Sequence, residues 1–264
     1  MIQTALTHEP FESYKAASKD YLGSHQLADF RRCPLLFWRK HQGLQADADT
    51  DAFALGRAAH TLILEGREAF DRQYAVGGPI NPKTSRPFGP ATQAYAEWEA
   101  KQGKRGVCDD DYDLIHQMWC GVRNHAFAAQ LLAEGEAECV GRGTYHHTAC
   151  QIRLDWFNQR HGIADLKTCD DLTWFEADAK RFGYLHQMAF YRAVLAALTG
   201  QVYPVHIIAI EKKEPFRCGV WRLDDQALDY ARRENESAIE RLNHCRATNV
   251  WPTGYEEKRV FDSI

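Results

Sequence analysis

The sequence predicts an α/β fold in which a helix-rich N-terminal portion precedes a compact core of strands. One observation is a change of pattern along the chain. Apolar residues recur at helical spacing up to about residue 135, and short apolar runs bounded by turn residues follow. The other is an ordinary globular composition, with 45% apolar and 26% charged residues among 264. A chain of this length can bury a substantial core.

Helices are predicted throughout the first half, after a lead-in of residues 1–23. Ser24 is the expected N-cap of the first helix, and Pro34 within it predicts a kink or two shorter helices. Phe53–Leu64 follows as a helix. The segment Gly77–Pro90 holds four prolines and three glycines and is predicted to be a loop. The remaining helices of this half are Ala91–Gln102 and Asp109–Glu134.

Strands alternate with helices in the second half of the chain. The predicted strands are Ala137–Tyr145, Cys150–Phe157, Gly162–Thr168, Val202–Ile210 and Arg217–Leu223. The predicted helices are Thr173–Gly183, Tyr184–Leu198 and Asp224–Arg246. No internal repeat or low-complexity tract is found, so one domain is the simplest account.

Charge and cysteine content narrow the functional classes. The net charge is −4, which counts against a protein that coats DNA non-specifically, although an acidic metal site also lowers the total. A local basic patch can still bind phosphates, and Arg31, Arg32, Arg39 and Lys40 form one candidate. The eight cysteines do not recur at the spacing of zinc ligands, and the N-terminal residues do not have the pattern of a signal peptide. Reduced thiols and a cytoplasmic location are therefore expected. No apolar run is long enough to span a membrane.

The strongest functional candidates are Asp155, Asp165 and Lys167. Two apolar runs flank the turn-like segment Asn158–His161, which is typical of a hairpin. Residues i and i+2 of a strand share a face, so Asp165 and Lys167 would lie together and strand pairing would bring Asp155 beside them. Two carboxylates and a lysine can support metal-assisted phosphodiester hydrolysis. From spacing alone, a surface hairpin with a salt bridge explains the three residues equally well.

Other candidates carry a weaker signal. His60 ends the segment G-R-A-A-H, where a histidine that packs in the core or caps the helix is the commoner interpretation. Glu138 begins a predicted strand and alone would be a solvated acid. Gln187 and Tyr191 are four residues apart on a predicted helix and share a face that reaches either a substrate or only the core. Cys33 lacks the three cysteine partners that an iron–sulfur cluster needs, so we expect no such cluster.

The order of these segments resembles the RecB-like branch of the PD-(D/E)xK nucleases, and most closely the nuclease domain of phage and prophage exodeoxyribonuclease VIII (RecE-like). The resemblance covers about residues 24–250. It is carried by S-H-Q-L-A-D-F-R-R-C-P-L-L-F-W-R-K, A-L-G-R-A-A-H-T-L-I-L-E, G-E-A-E, R-L-D, A-D-L-K-T and H-Q-M-A-F-Y. It implies a core with a central mixed sheet flanked by helices, and one nuclease domain over 24–264. The helical part would be 24–135 and the catalytic core 136–250.

The resemblance also implies roles for individual residues. The implied metal ligands are His60, Glu138, Asp155, Asp165 and the backbone carbonyl of Leu166. Lys167 is the implied catalytic lysine, and Glu136 is the alternative to Glu138 as first acid. The implied DNA-binding or supporting residues are Gln187, Tyr191, Arg31, Arg32 and Arg57. The second acid is an aspartate here, whereas many relatives in the wider superfamily carry a glutamate, but its charge is the same.

The activity implied by the resemblance is a magnesium-dependent exonuclease that resects linear double-stranded DNA, with manganese able to substitute. The expected polarity is 5′ to 3′, and the expected partners are a single-strand annealing recombinase and further copies of the chain in a ring. Two alternatives stay open. One is an endonuclease or a CRISPR-adaptation-like nuclease of the same fold, and the other is a non-catalytic accessory protein that binds DNA ends.

Overall fold

The computed structural model describes residues 5–46 and 51–260 of the chain. The α-helices are α1 (Phe11–Ala16), α2 (Ser24–Arg32), α3 (Pro34–His41), α4 (Asp51–His60), α5 (Arg67–Gln73), α6 (Gln93–Gln102), α7 (Asp109–Asn124), α8 (Ala126–Leu131), α9 (Phe175–Phe182), α10 (Tyr184–Thr199) and α11 (Asp225–Thr248). Short 3₁₀ turns cover Ala17–Lys19 and Leu172–Trp174, and a π-helical turn, Thr61–Glu65, continues α4.

A mixed six-stranded sheet forms the centre of the fold. The strands are β1 (Leu6–Thr7), β2 (Tyr74–Val76), β3 (Arg105–Val107), β4 (Glu136–Tyr145), β5 (Thr148–Asn158), β6 (Gly162–Cys169), β7 (Val205–Glu211) and β8 (Cys218–Arg222). The sheet order is β1-β4-β5-β6-β7-β8, and β6 and β7 are its parallel pair. The other neighbours are antiparallel. Strands β2 and β3 form a separate parallel pair.

Helices cover both faces of the sheet, so the protein has two apolar cores. The first core joins one face to α2, α3, α10 and α11, and the second joins the other face to α4, α5, α7 and α8. On β7 the residues alternate between the cores, with Ile207 in the first and Ile208 in the second. The predicted α/β class with a sheet flanked by helices is therefore confirmed.

Several predicted element boundaries are wrong. Gly23, not Ser24, is the N-cap of α2, and Gln26 Oε1 accepts its backbone N–H at 2.9 Å. The first helix is two helices that break at Cys33, which is the shorter-helix alternative predicted from Pro34. The helix predicted over Asp109–Glu134 also breaks, because His125 leaves the helical conformation and caps α8 with its ring. The β2–β3 pair was not predicted.

The segment expected as a lead-in takes part in the fold within residues 5–23. Leu6 pairs with Gly141 of β4, so β1 completes one edge of the sheet. Arg142 of β4 binds the half-buried carboxylate of Glu9. The division into a lead-in and one domain stays a prediction, but these contacts tie the segment to the sheet. No helix of the described residues is long and apolar enough to cross a membrane.

The β5–β6 hairpin is held by its turn residues. Asn158 Oδ1 accepts the backbone N–H groups of Arg160 and His161 at 2.6 and 2.9 Å, an Asx turn. Gly162 has φ 78°, and a Cβ at this position would lie 2.1 Å from the carbonyl oxygen of Pro204. Only glycine fits there, and this fit fixes how β6 leaves the turn.

Candidate active site

His60 is the last residue of α4 before the helix widens into its π-helical turn. The helix passes close to the end of β6, since a Cβ at Gly56 would lie 3.9 Å from Thr168 Oγ1. Ala58 and Ala59 are buried in the second core and anchor this turn of the helix. The packing therefore brings the His60 ring to the sheet from a helix that is remote in sequence.

Asp155 lies where β5 and β6 separate. The regular pairing of the two strands ends with Trp156 opposite Ala164. Beyond it, Asp155 Oδ2 accepts the backbone N–H of Leu166 at 2.9 Å, so a side chain replaces the next backbone contact. The hairpin thus places the carboxylate of one strand directly against the other.

Glu138 occupies a distorted position of β4. Its φ of 57° lies in the left-handed region, which is uncommon for a residue with a side chain. Ala137 packs in the second core and Cys139 in the first, although residues i and i+2 of a regular strand share a face. Leu154 and Trp156 of β5 show the same reversal. Side chains before and after the distortion therefore face the opposite sides of the sheet from those that a regular strand would give them. Strained backbone of this kind recurs at functional sites.

The structure brings His60, Glu138 and Asp155 together. One ligand atom from each lies within 4.8 Å of the others, and His60 Nδ1 is 3.4 Å from Asp155 Oδ2. Glu136, the alternative first acid, belongs to a different cluster. It is exposed and lies 3.0 Å from His8 Nε2, so Glu138 is the acid beside His60.

Asp165 and Lys167 share one face of β6. Lys167 Nζ contacts Asp165 Oδ2 directly, and Asp165 has only 1% of its surface exposed. Within the described part of the chain, Asp165 Oδ1 is buried without a hydrogen-bond partner. The Tyr184 ring covers the lysine, with its centroid 4.9 Å from Nζ. An unpartnered buried carboxylate oxygen is costly unless a further group binds it.

Burial dominates the electrostatics of these groups. It raises the pKa of Glu138 to about 7 and that of Asp165 to about 6, and the charge of Asp155 adds to both shifts. Burial also raises the pKa of Asp155. For His60, burial and then the charge of Lys167 lower the pKa to about 4, so the ring is neutral. Burial opposes the charge of Lys167, but Asp165 and Asp155 outweigh it and raise the pKa of the amine.

These residues fit a hard divalent cation. Carboxylate oxygens with one neutral imidazole suit magnesium or manganese, and none of these groups is a soft thiolate. Burial is the main cause of the three raised carboxyl pKa values, and a bound cation would favour the charged form of each acid. The unpartnered Asp165 Oδ1 supplies a further free acceptor. The backbone of Leu166 lies within hydrogen-bonding reach of the His60 ring and favours the protonated form of that ring. The carbonyl predicted as a ligand therefore lies beside His60.

Arg153 is a site residue that the sequence analysis missed. Its Nε donates a hydrogen bond to Glu138 Oε2, while its Nη1 is buried without a partner in the described residues. The rings of Phe11 and Tyr14 lie 5.1 and 6.0 Å from its guanidinium carbon. No local spacing pointed to it, because its partner Glu138 lies on β4 and not on its own strand.

The residues predicted to support the site or to bind DNA differ in their surroundings. Gln187 Nε2 donates to Tyr191 Oη at 3.2 Å, and the buried Tyr191 has a pKa raised first by burial and then by the charge of Asp165. Arg31 is half-buried and its Nη1 lies 3.5 Å from Asn235 Oδ1. The two other predicted DNA-binding residues are Arg32, which is exposed on α2, and Arg57, which lies one turn before His60.

Comparisons with known proteins agree with this architecture. Residues 23–263 match the family model described as a PDDEXK-like domain of unknown function (DUF3799). A solved structure from Eubacterium rectale, described as a "Putative exonuclease", superimposes with a TM-score of 0.70 at 16% sequence identity. The match covers 98% of this chain and 96% of that one. At this identity the likeness shows a shared fold. A comparison with curated protein sequences gave no match.

Proposed function

Because the chain belongs to the PDDEXK-like domain family of unknown function (DUF3799), we propose that it is a metal-dependent DNA exonuclease. Its substrate would be linear double-stranded DNA, resected from the 5′ end for homologous recombination of the phage type. Magnesium would be the cofactor, and manganese would substitute for it. The fold of the family, the PD-(D/E)xK core predicted from the sequence, supports phosphodiester hydrolysis as the reaction class.

One observation carries the proposal: five chemically matched side chains converge from four separate elements. These residues are His60, Glu138, Asp155, Asp165 and Lys167. A solvated salt bridge on a surface hairpin would not need buried acids, and a core histidine would not need a carboxylate 3.4 Å away. The clustering of groups with strongly perturbed pKa values also favours a functional site.

The residues divide the chemistry among themselves. His60, Glu138, Asp155 and Asp165 would hold the cation, with the carbonyl of Leu166 completing the set. A bound cation supplies Lewis acidity and lowers the pKa of a water molecule. Lys167, kept positively charged by Asp165, would stabilise the charge that develops on the scissile phosphate. Tyr191 and Gln187 would position the lysine side of the site, since they form one hydrogen-bonded pair beside it.

The proposal extends to location, assembly and partners. The resemblance to exodeoxyribonuclease VIII supports a cytoplasmic enzyme that forms a ring around DNA and delivers a resected strand to a single-strand annealing recombinase. Arg31, Arg32 and Arg57 would bind the DNA backbone, because guanidinium groups pair with phosphates.

Digestion of linear duplex DNA with a label on one defined 5′ end tests the activity. The reaction is run with magnesium, without it, and beside covalently closed circular DNA. We expect early, metal-dependent release of the 5′ label while the circle stays intact. Release of nucleotides from the 3′ end would support an exonuclease but overturn the proposed 5′ to 3′ polarity.

The same experiment separates the alternatives. Nicking or linearisation of the circle would show an endonuclease of the same fold. Binding without cleavage of either substrate would show an accessory protein that recognises DNA ends. Gel filtration with light scattering tests the ring, and a monomer would overturn that part of the proposal alone.

A further inference from the structure

A stack of side chains leads from the protein surface to Lys167. The Tyr184 ring lies against Lys167, and the Phe182 ring stacks on Tyr184 with centroids 5.9 Å apart and planes 27° apart. The guanidinium carbon of Arg181 lies 4.4 Å from the centroid of Phe182. These four residues form a continuous cation–aromatic series, which we call the Phe182 stack.

The backbone between the two rings sets their orientation. Gly183 ends α9 and begins α10 with φ 72°, a conformation that favours glycine. Phe182 keeps 56% of its surface exposed. Arg181 is also exposed, over 68% of its side chain, and its other partner is Asp178 at 3.1 Å. Among the described residues, Arg181 lies over the Phe182 ring, and solvent surrounds most of its side chain.

A cavity of about 70 Å³, lined in part by Phe182, Tyr184, Arg31 and Gln187, opens next to the rings. The exposed 56% of Phe182 offers a planar ligand a ring surface beside this cavity.

We propose that Phe182 stacks an unpaired nucleobase at the end of a DNA strand, in the place that Arg181 covers in this structure. Stacking of a base on an aromatic ring is stronger than an exposed cation–π pair, so the base displaces the guanidinium. The freed Arg181 and its neighbour Lys180 are exposed cations that can then pair with backbone phosphates.

The stack selects an unpaired base over a paired one. Inside a duplex the faces of each base are covered by its neighbours, whereas frayed or single-stranded nucleotides offer a free face. The inner end of the stack is the amine that would act on the scissile phosphate, so a base on Phe182 fixes how far the strand reaches past Lys167. The inference rests on the proposed function in this respect, and it assigns an unpaired terminal nucleotide as the substrate element that the site recognises.

Fluorescence of 2-aminopurine tests the inference without any cleavage. The probe is a duplex with a short 5′ overhang that carries 2-aminopurine among thymines, titrated with the full chain in calcium instead of magnesium. We expect the wild-type protein to quench the probe. Phe182→Ala should lose the quenching and bind about tenfold more weakly, and Phe182→Trp should retain both properties. Tyr255→Ala is the matched control, since Tyr255 is an exposed ring with Arg259 4.1 Å above it in the C-terminal tail.

Each outcome decides one claim. Equal quenching and affinity for Phe182→Ala and wild type, or equal losses for Phe182→Ala and Tyr255→Ala, would overturn the stacking site. If the wild-type protein cleaves DNA and the Phe182→Ala variant binds it normally, the stacking site is rejected and the proposed nuclease activity stands. Quenching by a protein that cleaves no DNA in magnesium would keep the stack and reject the nuclease.

Discussion

Arg153 Nε donates a hydrogen bond to Glu138 Oε2, so a half-buried cation holds the acid that lies at the distorted position of β4. Burial and the charge of Asp155 raise the pKa of Glu138, and Arg153 opposes both. The guanidinium therefore keeps the pKa of this carboxyl lower than burial alone would set it. It also fixes Oε2 of Glu138, which keeps a carboxylate oxygen within 4.8 Å of the ligand atoms of His60 and Asp155.

Removal of this cation tests its role. Arg153→Met is expected to weaken magnesium binding about tenfold at neutral pH, because partners of metal ligands typically contribute 10- to 100-fold to affinity. Without Arg153 the pKa of Glu138 rises further, so raising the pH should restore much of the affinity. Isothermal titration at two pH values measures this. Arg142→Met, which breaks an arginine–glutamate pair on the same sheet, should leave the affinity unchanged.

Asp165→Asn is expected to abolish cleavage and to leave DNA binding nearly intact. The substitution keeps the side-chain volume but removes the charge that faces Lys167 and the cation. We expect a loss of about 10³-fold or more in the single-turnover rate. Rapid-quench kinetics and an anisotropy titration measure the two properties. Unchanged cleavage would mean that the acid is not part of the reaction centre.

Lys167→Ala should separate turnover from metal binding. The protonated amine of Lys167 has no lone pair to offer a cation, so we expect a loss of about 10²- to 10³-fold in rate with little change in magnesium affinity. Lys212→Ala is the control, because Lys212 pairs with Asp170 just after the same strand. A large loss of magnesium affinity in Lys167→Ala would instead assign the lysine a structural role.

Magnesium affinity is expected to rise with pH through the range of about 6 to 7. The pKa of Asp165 is about 6 and that of Glu138 about 7, both raised by burial. Below these values the acids carry protons that the cation must displace, and above them the carboxylates are free. His60 stays neutral across this range because its pKa is about 4. Calorimetry in buffers of different ionisation enthalpy counts the released protons, and a pH-independent affinity would contradict the expectation.

Gly162→Ala should destabilise the hairpin that carries Asp155 and Asp165. The added Cβ would meet the Pro204 carbonyl oxygen at 2.1 Å and also strain a positive φ, so we expect a loss of about 2–5 kcal/mol in the free energy of unfolding. Gly200→Ala isolates the strain, since φ is 73° there and an added Cβ would meet no sequence-distant atom of the described residues within 4 Å. That variant should lose only about 1–2 kcal/mol. Urea denaturation compares the two, and equal losses would exclude the contact with Pro204.

Local patterns predicted the fold class and most of the elements. The strands β4 to β8 were recognised because apolar runs ended at clear turn residues such as Gly162. The short β2–β3 pair was not predicted because its strands have only three residues each and are joined by a long intervening segment. The break at His125 escaped because the apolar spacing continues through it.

The candidate site was only partly visible in the sequence. Asp165 and Lys167 could be placed on one face from their spacing alone. His60 and Glu138 could be assigned only through the resemblance, since no local pattern brings residue 60 to residue 155. The left-handed backbone of Glu138 reverses the strand alternation, and a periodic pattern cannot show such a reversal. Arg153 was overlooked because its partner lies on another strand.

The two cores meet at the site, and this arrangement links cation binding to folding. His60 is carried by a helix of the second core, whereas Asp155 follows a residue of the first. An ion bound by His60 and Asp155 would link the two layers across the sheet. The free energy of its binding would therefore add to the stability of the folded chain. The supply of divalent cation would then govern the lifetime of the enzyme as well as its turnover. Depletion of the ion would expose the chain to unfolding and proteolysis in the same step that stops catalysis.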